Sequence, residues 1–288
     1  MLALIQVGSI STSSILLVPY EASHVPTYHE WMKDEQIQAE TASEPLTLEE
    51  EYAMQLSWRT DADKLTFIAC LLLPYPLPPP TTSLTPPSSS SSPSPNPPSS
   101  TTTPHILIPG TFDSPSHIIG DVNLFLTPSH STSPSPSPSP STTHPIIGEL
   151  ELMIAPTLHR RKGHGRNTIL AFLSYITTHL PSILAEYGQN QTPPIPKGDV
   201  RLEGLRVKIG KENEGSLRLF RGLGFGSLEG GEGEEVPNYF GEVELWYQGE
   251  VSEEGMRGLR ERFGVEGYME LEYGDRGEGR GVVGHDTT

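Results

Sequence analysis

The chain has 288 residues, of which 29 are proline and 28 glycine, and only 34% are hydrophobic, so part of it cannot build a packed core. Its net charge is −17, with sixteen acids against five arginines from Glu229 onward. That excludes nucleic acid as the main partner, because phosphate binding needs a basic surface.

The leading Met1-Leu2-Ala3-Leu4-Ile5 has no basic residue ahead of its apolar ones, which argues against a secretory leader. No uninterrupted apolar run nears the ~18 residues of a membrane span, so no membrane partner is expected. A soluble, cytoplasmic protein is the expectation, and a nuclear one also fits. The acidic surface is read as a solvated face, with a basic substrate as the sharper alternative.

In chain order, Ser14–Val18 reads as a short strand and Val25–Ala42 as a helix carrying Tyr28, Trp31, Met32 and Ile37. Thr47 and Glu50 have capping-box spacing and start a second helix through Tyr52, Met54, Leu56 and Trp58. Strands follow at 65–72, 118–126 and 146–155. The single cysteine, Cys70, lies in the first of these and reads as a small buried hydrophobe; alone it allows neither an intrachain disulfide nor a cysteine-rich zinc site. In the third, Leu150, Leu152 and Ile154 alternate with Glu149, Glu151 and Met153, giving one core face and one facing a cleft or solvent. A helix over 166–180 has an apolar stripe from Ile169 to Leu180, and Pro181 is expected to end it. A strand at 205–209, a short helix at 214–222, a strand at 243–247 and a helix over 253–263 complete the pattern.

Two segments interrupt this order. Residues 74–104 and 128–145 are nearly all Pro, Ser and Thr, with Ser-Pro repeats over 133–140. Such sequence prefers extended, solvated conformations. Each stands where a hairpin turn would be expected, and lengthening a loop costs only ~0.6 kcal/mol per doubling. The reading is therefore one interrupted domain over 14–248 with two disordered insertions, then an acidic, Gly-rich extension over 249–288, partly disordered.

The chemistry concentrates in Ile154-Ala155-Pro156-Thr157-Leu158-His159-Arg160-Arg161-Lys162-Gly163-His164-Gly165-Arg166. A strand ends, a basic loop with two glycines follows, and an amphipathic helix begins. Helix starts leave free N–H groups and a partial positive charge, which suit an anion. Glycines allow close backbone approach and positive φ. A Walker A sequence is absent, and no third glycine completes the dinucleotide fingerprint. His159 and His164 lack a nearby carboxylate or cysteine and read as loop polarity, so no metal site is expected.

Arg160-Arg161-Lys162-Gly163-His164-Gly165 matches the Arg/Gln-x-x-Gly-x-Gly/Ala pattern of GNAT acetyltransferases, and Asn213-Glu214-Gly215-Ser216-Leu217-Arg218-Leu219-Phe220 resembles that superfamily's second cofactor-side motif. Leu17-Val18-Pro19-Tyr20, Thr41-Ala42-Ser43-Glu44-Pro45-Leu46-Thr47, Gly120-Asp121-Val122-Asn123-Leu124-Phe125 and Lys208-Ile209-Gly210 look like the N-acetyltransferase 9 family. The resemblance implies an α+β, RimJ/RimL-like GNAT fold, with a mixed, mostly antiparallel, splayed sheet flanked by helices. It further implies that acetyl-CoA donates an acetyl group to an amine of a protein or peptide. Backbone groups of Met153, Ile154 and Ala155 would then meet the pantetheine arm, and the stretch Arg160, Arg161, Lys162, Gly163, His164 and Gly165 the pyrophosphate. Asn213, Ser216 and Phe220 would stand on the arm's other side, Asn213 and Ser216 doubling as helix-cap residues.

The sequence departs from the family pattern at Arg161, where glycine is frequent, and at Asn167, where glutamate is. Phe220 stands where many such enzymes have a tyrosine that protonates the leaving thiolate, which phenylalanine cannot do. The acceptor amine must lose a proton, and Glu149 or Glu151 is the expected general base. The alternative is a catalytically weak binding module acting through its Ser/Pro-rich loops and acidic tail.

Overall fold

The computed structural model describes residues 8–72, 106–129, 143–228 and 237–274. The low-complexity segment 74–104, most of 128–145 and the Gly-rich end lie outside them, so the expectations for those segments do too.

Ten strands form one sheet: β1 (Gly8–Ser11), β2 (Ile15–Pro19), β3 (Lys64–Leu71), β4 (Ile106–Leu107), β5 (Ile118–Pro128), β6 (His144–Ile154), β7 (Val200–Gly210), β8 (Phe225–Gly226), β9 (Glu242–Tyr247) and β10 (Met269–Tyr273). Their spatial order is β4-β10-β1-β2-β3-β5-β6-β7-β9-β8. Neighbours are antiparallel except β10–β4 and β6–β7. The helices are α1 (Val25–Trp31), α2 (Glu35–Thr41), α3 (Leu48–Thr60), α4 (His164–Gln189), α5 (Glu214–Gly222) and α6 (Glu253–Phe263). The architecture is the α+β, splayed, mostly antiparallel one that the resemblance implies.

Alternation along the strands explains the layering. In β2, Ile15 and Leu17 point to one face and Leu16 and Val18 to the other, and all are buried. The first face packs on α4, where Phe67 meets the rings of Phe172 and Tyr175 at 5.8 and 5.4 Å. The second packs under α1 and α2 through Val25, Tyr28, Met32 and Ile37, and takes in Cys70.

Several elements differ from their sequence-based outlines. The helix expected over 25–42 is two, because Asp34 adopts an extended conformation and caps α2 by accepting from the Gln36 N–H. In α3 the capping box is formed as expected, yet Glu51 and Gln55 face inward while Tyr52 and Leu56 are exposed. Gln55 Nε2 donates to the Tyr20 carbonyl, and that buried bond fixes the helix's rotation.

Pro181 does not end α4, which continues to Gln189. Beyond the proline, Ile183, Tyr187 and Gly188 are buried, and this tertiary packing outweighs a local cost of ~3 kcal/mol. By length and composition α4 could cross a membrane, but most of its apolar window is buried against the sheet, as a core helix requires.

The sheet also extends past both ends of the expected span 14–248. β1 and β10 pair from Gly8↔Glu272 to Ser11↔Met269. The Tyr273 hydroxyl donates to Asp113 at 2.6 Å, tying β10 to the layer beneath α1. His24 completes that knot: its Nδ1 accepts from the Glu21 N–H, so Nε2 carries the hydrogen and donates to Asp113 at 2.9 Å.

Candidate active site

β6 and β7 pair in parallel from His144↔Val200 only as far as Glu149↔Arg206. Beyond that rung β6 continues beside β5 alone and β7 beside β9 alone. Two strands that part leave backbone donors and acceptors without ladder partners, and a linear ligand can take them up as an added strand would. The parting opens into a cleft of about 1400 Å³. Around it the structure brings together Glu149, Glu151, Met153, Ile154, Arg160, Arg161, Gly163, Gly165, Asn213, Ser216 and Phe220. Ala155, Lys162 and His164 do not line it.

Strand alternation narrows which backbone groups face the gap. The Ala155 N–H is taken by the Ile119 carbonyl of β5's side, and the Ile154 carbonyl by Arg160 Nε at 2.8 Å. The Ile154 N–H, pointing opposite to that of Ala155, is left facing the gap. Arg160 also reaches the Ala155 carbonyl at 3.3 Å and Glu40 at 3.4 Å, so its guanidinium clamps the strand end to α2.

Gly163 is the N-cap of α4, with φ +87° and no side-chain cap. The first intrahelical bond runs from the Asn167 N–H to the Gly163 carbonyl. The N–H groups before it have no helical partner and sit at the positive end of a 26-residue helix, a seat for an anion. Gly165 lies within the first turn, where a Cβ would come within 3.2 Å of Leu152; it lets α4 approach the strand closely instead of supplying positive φ. Besides Gly163, positive φ falls on Arg161, at +61°. A left-handed conformation costs a non-glycine residue roughly 1 kcal/mol, which explains why glycine suits that place. Arg161→Gly should therefore raise unfolding stability by about 1 kcal/mol in urea titration; an unchanged or lower value would refute strain at Arg161. Asn167 donates to Ser14 Oγ at 2.6 Å, pinning the helix start to β2. His164 packs edge-on to His159, and burial, then the charges of His159 and Lys162, lowers its pKa. Among the described residues no group of His, Cys, Asp or Glu could hold a metal ion.

Across the gap, Asn213 caps α5 by accepting from the Ser216 N–H at 3.1 Å. Phe220 is buried edge-on against Phe225, so the cleft wall has an apolar ring where a tyrosine would carry a proton.

The two glutamates have different surroundings. Glu149 accepts from Arg206 at 2.8 and 2.9 Å and from Lys208 at 2.9 Å, all on Oε2, so two cations from β7 anchor this carboxylate. Glu151 has no ion pair or hydrogen bond among the described residues. Its side chain is exposed to solvent in the open cleft, yet desolvation by the cleft walls, then the charges of Asp121 and Glu149, push its pKa up to about 7 against the pull of Lys208. Asp121 and Asn123 are residues the sequence reading left unassigned. Both are buried on β5 beside Glu151, with Asn123 directly opposite it. Burial pushes Asp121 up to about 7 as well. The available signal was parity: polar residues at alternate positions of an otherwise apolar strand, on the face that antiparallel pairing gives to Glu149 and Glu151.

No protein-family model matches the chain. An N-acetyltransferase 9-like protein of Schizosaccharomyces pombe is 37% identical over 248 residues, covering 82% of this chain and 94% of that one. Human alpha/beta-tubulin-N-acetyltransferase 9 is 36% identical over 212 residues, covering 73% and 72%. A spermidine N-acetyltransferase structure from Vibrio cholerae, in complex with CoA and spermine, aligns at TM-score 0.44 and 14% identity over 83% of this chain and 92% of that one, too loosely to carry residues across. Identity at this level over most of both chains, on a fold whose central strands part in front of a glycine-capped helix, places the chain in the N-acetyltransferase 9 family of GNAT acyltransferases.

Proposed function

We propose that the protein transfers an acetyl group from acetyl-CoA to an amine of a protein, with tubulin as the first acceptor to test because the human relative bears that name. The observation that carries this reading is the parting of β6 from β7 in front of the uncapped start of α4. The free N–H groups of α4 and the loop 161–165 would hold the pyrophosphate, with Lys162 and His164 at its outer edge. The Ile154 N–H would meet the pantetheine arm or the thioester carbonyl, with Asn213, Ser216 and Phe220 closing the other side. Charge-assisted bonds of this kind contribute roughly 1.5–3 kcal/mol each. Acetyl-CoA supplies the activated acyl group; the chain's own part is to position it and to receive the acceptor's proton.

Glu151 is the general base in this reading. Its raised pKa suits a group that must be ionised near neutral pH and still take a proton. Glu149 instead holds Arg206 and Lys208 across the last rung before the gap. A cytoplasmic setting accords with a single cysteine kept as a buried thiol.

The test is incubation of the full chain with labelled acetyl-CoA and purified tubulin, read by mass spectrometry and by free-thiol release. Label on tubulin amines with stoichiometric thiol is the expected outcome. Tight CoA binding without thiol release on tubulin or any peptide amine would favour a binding module over an enzyme.

A further inference from the structure

We propose that Asp121 is the partner carboxyl of Glu151: the two share a proton, and Asp121 sets the pH at which Glu151 can accept one from the acceptor ammonium. This rests on Glu151 being the base, and it adds a positioning residue that works through it.

The ladders place the pair. Register from β3 through β5 to β6 sets Thr66, Asn123 and Glu151 in one cross-strand row, and Ile68, Asp121 and Met153 in the next. Asp121 and Glu151 are thus diagonal neighbours on one face, with Cα atoms typically about 7–8 Å apart and side chains closer. Asp121 is only 2% exposed and forms part of the cleft wall. One oxygen accepts from Asn123 Nδ2 at 2.8 Å, while Oδ1 has no partner.

Among the described residues no cation pairs with Asp121. The titratable groups around the pair are Tyr20 and Tyr28 above it, Glu51 on α3, Glu149 on β6, Lys208 on β7 and Glu242 on β9, whose charge also opposes ionisation of Glu151. The phenols of Tyr20 and Tyr28 are pushed far up by burial and stay uncharged. Lys208 is bound to Glu149 at 2.9 Å. Among the described residues Asp121 has only the Asn123 amide and its own backbone N–H as donors and no counter-ion, so burial favours its protonated form, and two neighbouring carboxyls resist ionising together. Near neutral pH the pair therefore carries one proton between its two carboxyls, and Glu151 can accept another while that proton sits on Asp121.

The proton balance then closes. Glu151 takes a proton from R–NH3⁺, breaking N–H and forming O–H. The freed lone pair attacks the thioester carbonyl carbon, and the C–S bond breaks with its electrons on sulfur. The nitrogen's remaining surplus proton neutralises the thiolate, and the proton on Glu151 passes to water. The sum is an amide, a free thiol and one proton released, with no demand on Phe220.

Because the coupling is mutual, removing either group must move the other. Two measurements test this. The side-chain carboxyl carbon of Asp121 is followed by NMR against pH in the wild-type full chain and in Glu151→Gln. Its midpoint should lie near neutral and fall by about one pH unit in the variant. In the second, the rate profile of Asp121→Asn should keep its shape with the rising limb moved about one unit to lower pH, since Glu151 no longer faces a like charge. Either an Asp121 midpoint in the ordinary aspartate range in the wild type, or one that Glu151→Gln leaves in place, overturns the pair. So does a uniform loss of rate in Asp121→Asn with the limb fixed, the mark of a purely structural residue. Should Asp121→Asn fail to fold or to bind CoA, the NMR arm decides alone. That arm needs no acceptor, so it stands even if Glu151 proves not to be the base.

Discussion

Replacing Glu151 by Gln should lower turnover by about 10²–10⁴-fold, the usual size of general-base catalysis, while acetyl-CoA binds as before. The amide keeps the carboxylate's shape and loses only its capacity to accept a proton. The sign of the pH effect follows from the raised pKa of about 7. Below that value Glu151 is mostly protonated and cannot act, so the wild-type rate should climb through neutral pH, and this climb should vanish in the variant. Glu149→Gln makes the contrast. It leaves Arg206 and Lys208 without their shared carboxylate and should loosen the last β6–β7 rung, but the rising limb should persist, moved to lower pH because the charge of Glu149 no longer opposes ionisation of Glu151. Steady-state kinetics between pH 5 and 9 on one acceptor separates the two. Full turnover in Glu151→Gln, or a limb that vanishes only in Glu149→Gln, would transfer the proton step away from Glu151.

Gly120→Ala should be the most damaging single methyl in the described fold. A Cβ at Gly120 would overlap the backbone carbonyl of Met153 on the neighbouring strand. Backbone atoms cannot swing aside as a side chain can, so β5 and β6 would have to separate next to Glu151. Overpacking of this kind costs about 1–3 kcal/mol and occasionally more, and we expect the upper end. For a domain of this size that lowers Tm by roughly 6–12 °C at 2–4 °C per kcal/mol. Scanning calorimetry reads the loss, and CoA binding at low temperature reads whether the cleft survives in the folded fraction. A Tm within a degree of wild type would mean that the two strands yield far more easily than their ladder suggests.

Much of this was legible in the residues because it is local. Thr47 and Glu50 announce α3, and Gly163 announces the turn before α4. The alternation of Leu150, Leu152 and Ile154 with the glutamates gives β6 both of its faces. Where long-range contacts decide, local reading failed. Pro181 should stop a helix, and the buried Ile183 and Tyr187 carry it on. Met269–Tyr273 reads as little by itself and becomes a strand only beside Gly8–Ser11, some 260 positions away in the chain. Asp121 has no visible role in the sequence alone, because a burial cost shows itself only once Glu151 and the helical layer are in place. The cleft's two glutamates were found together, but their difference lies in Arg206 and Lys208, which approach from another strand.

β6 spans from His144, where it is still paired to β7, to Ile154 at the open gap, roughly 30 Å at about 3.3 Å per residue. The segment between Ser129 and Thr143 joins the strand pair at its closed end, whereas the segment between Leu72 and Ile106 departs beside Ile15 and Ile118, at the end where Ala155 lies. In evolutionary terms the two insertions live under different selection. Copy-number slippage in the Ser-Pro repeats changes a segment anchored at the closed end of the strand pair, so its length is expected to drift freely among related species. The second is anchored at the end of the sheet where the proposed cofactor site lies, and its length is expected to vary less.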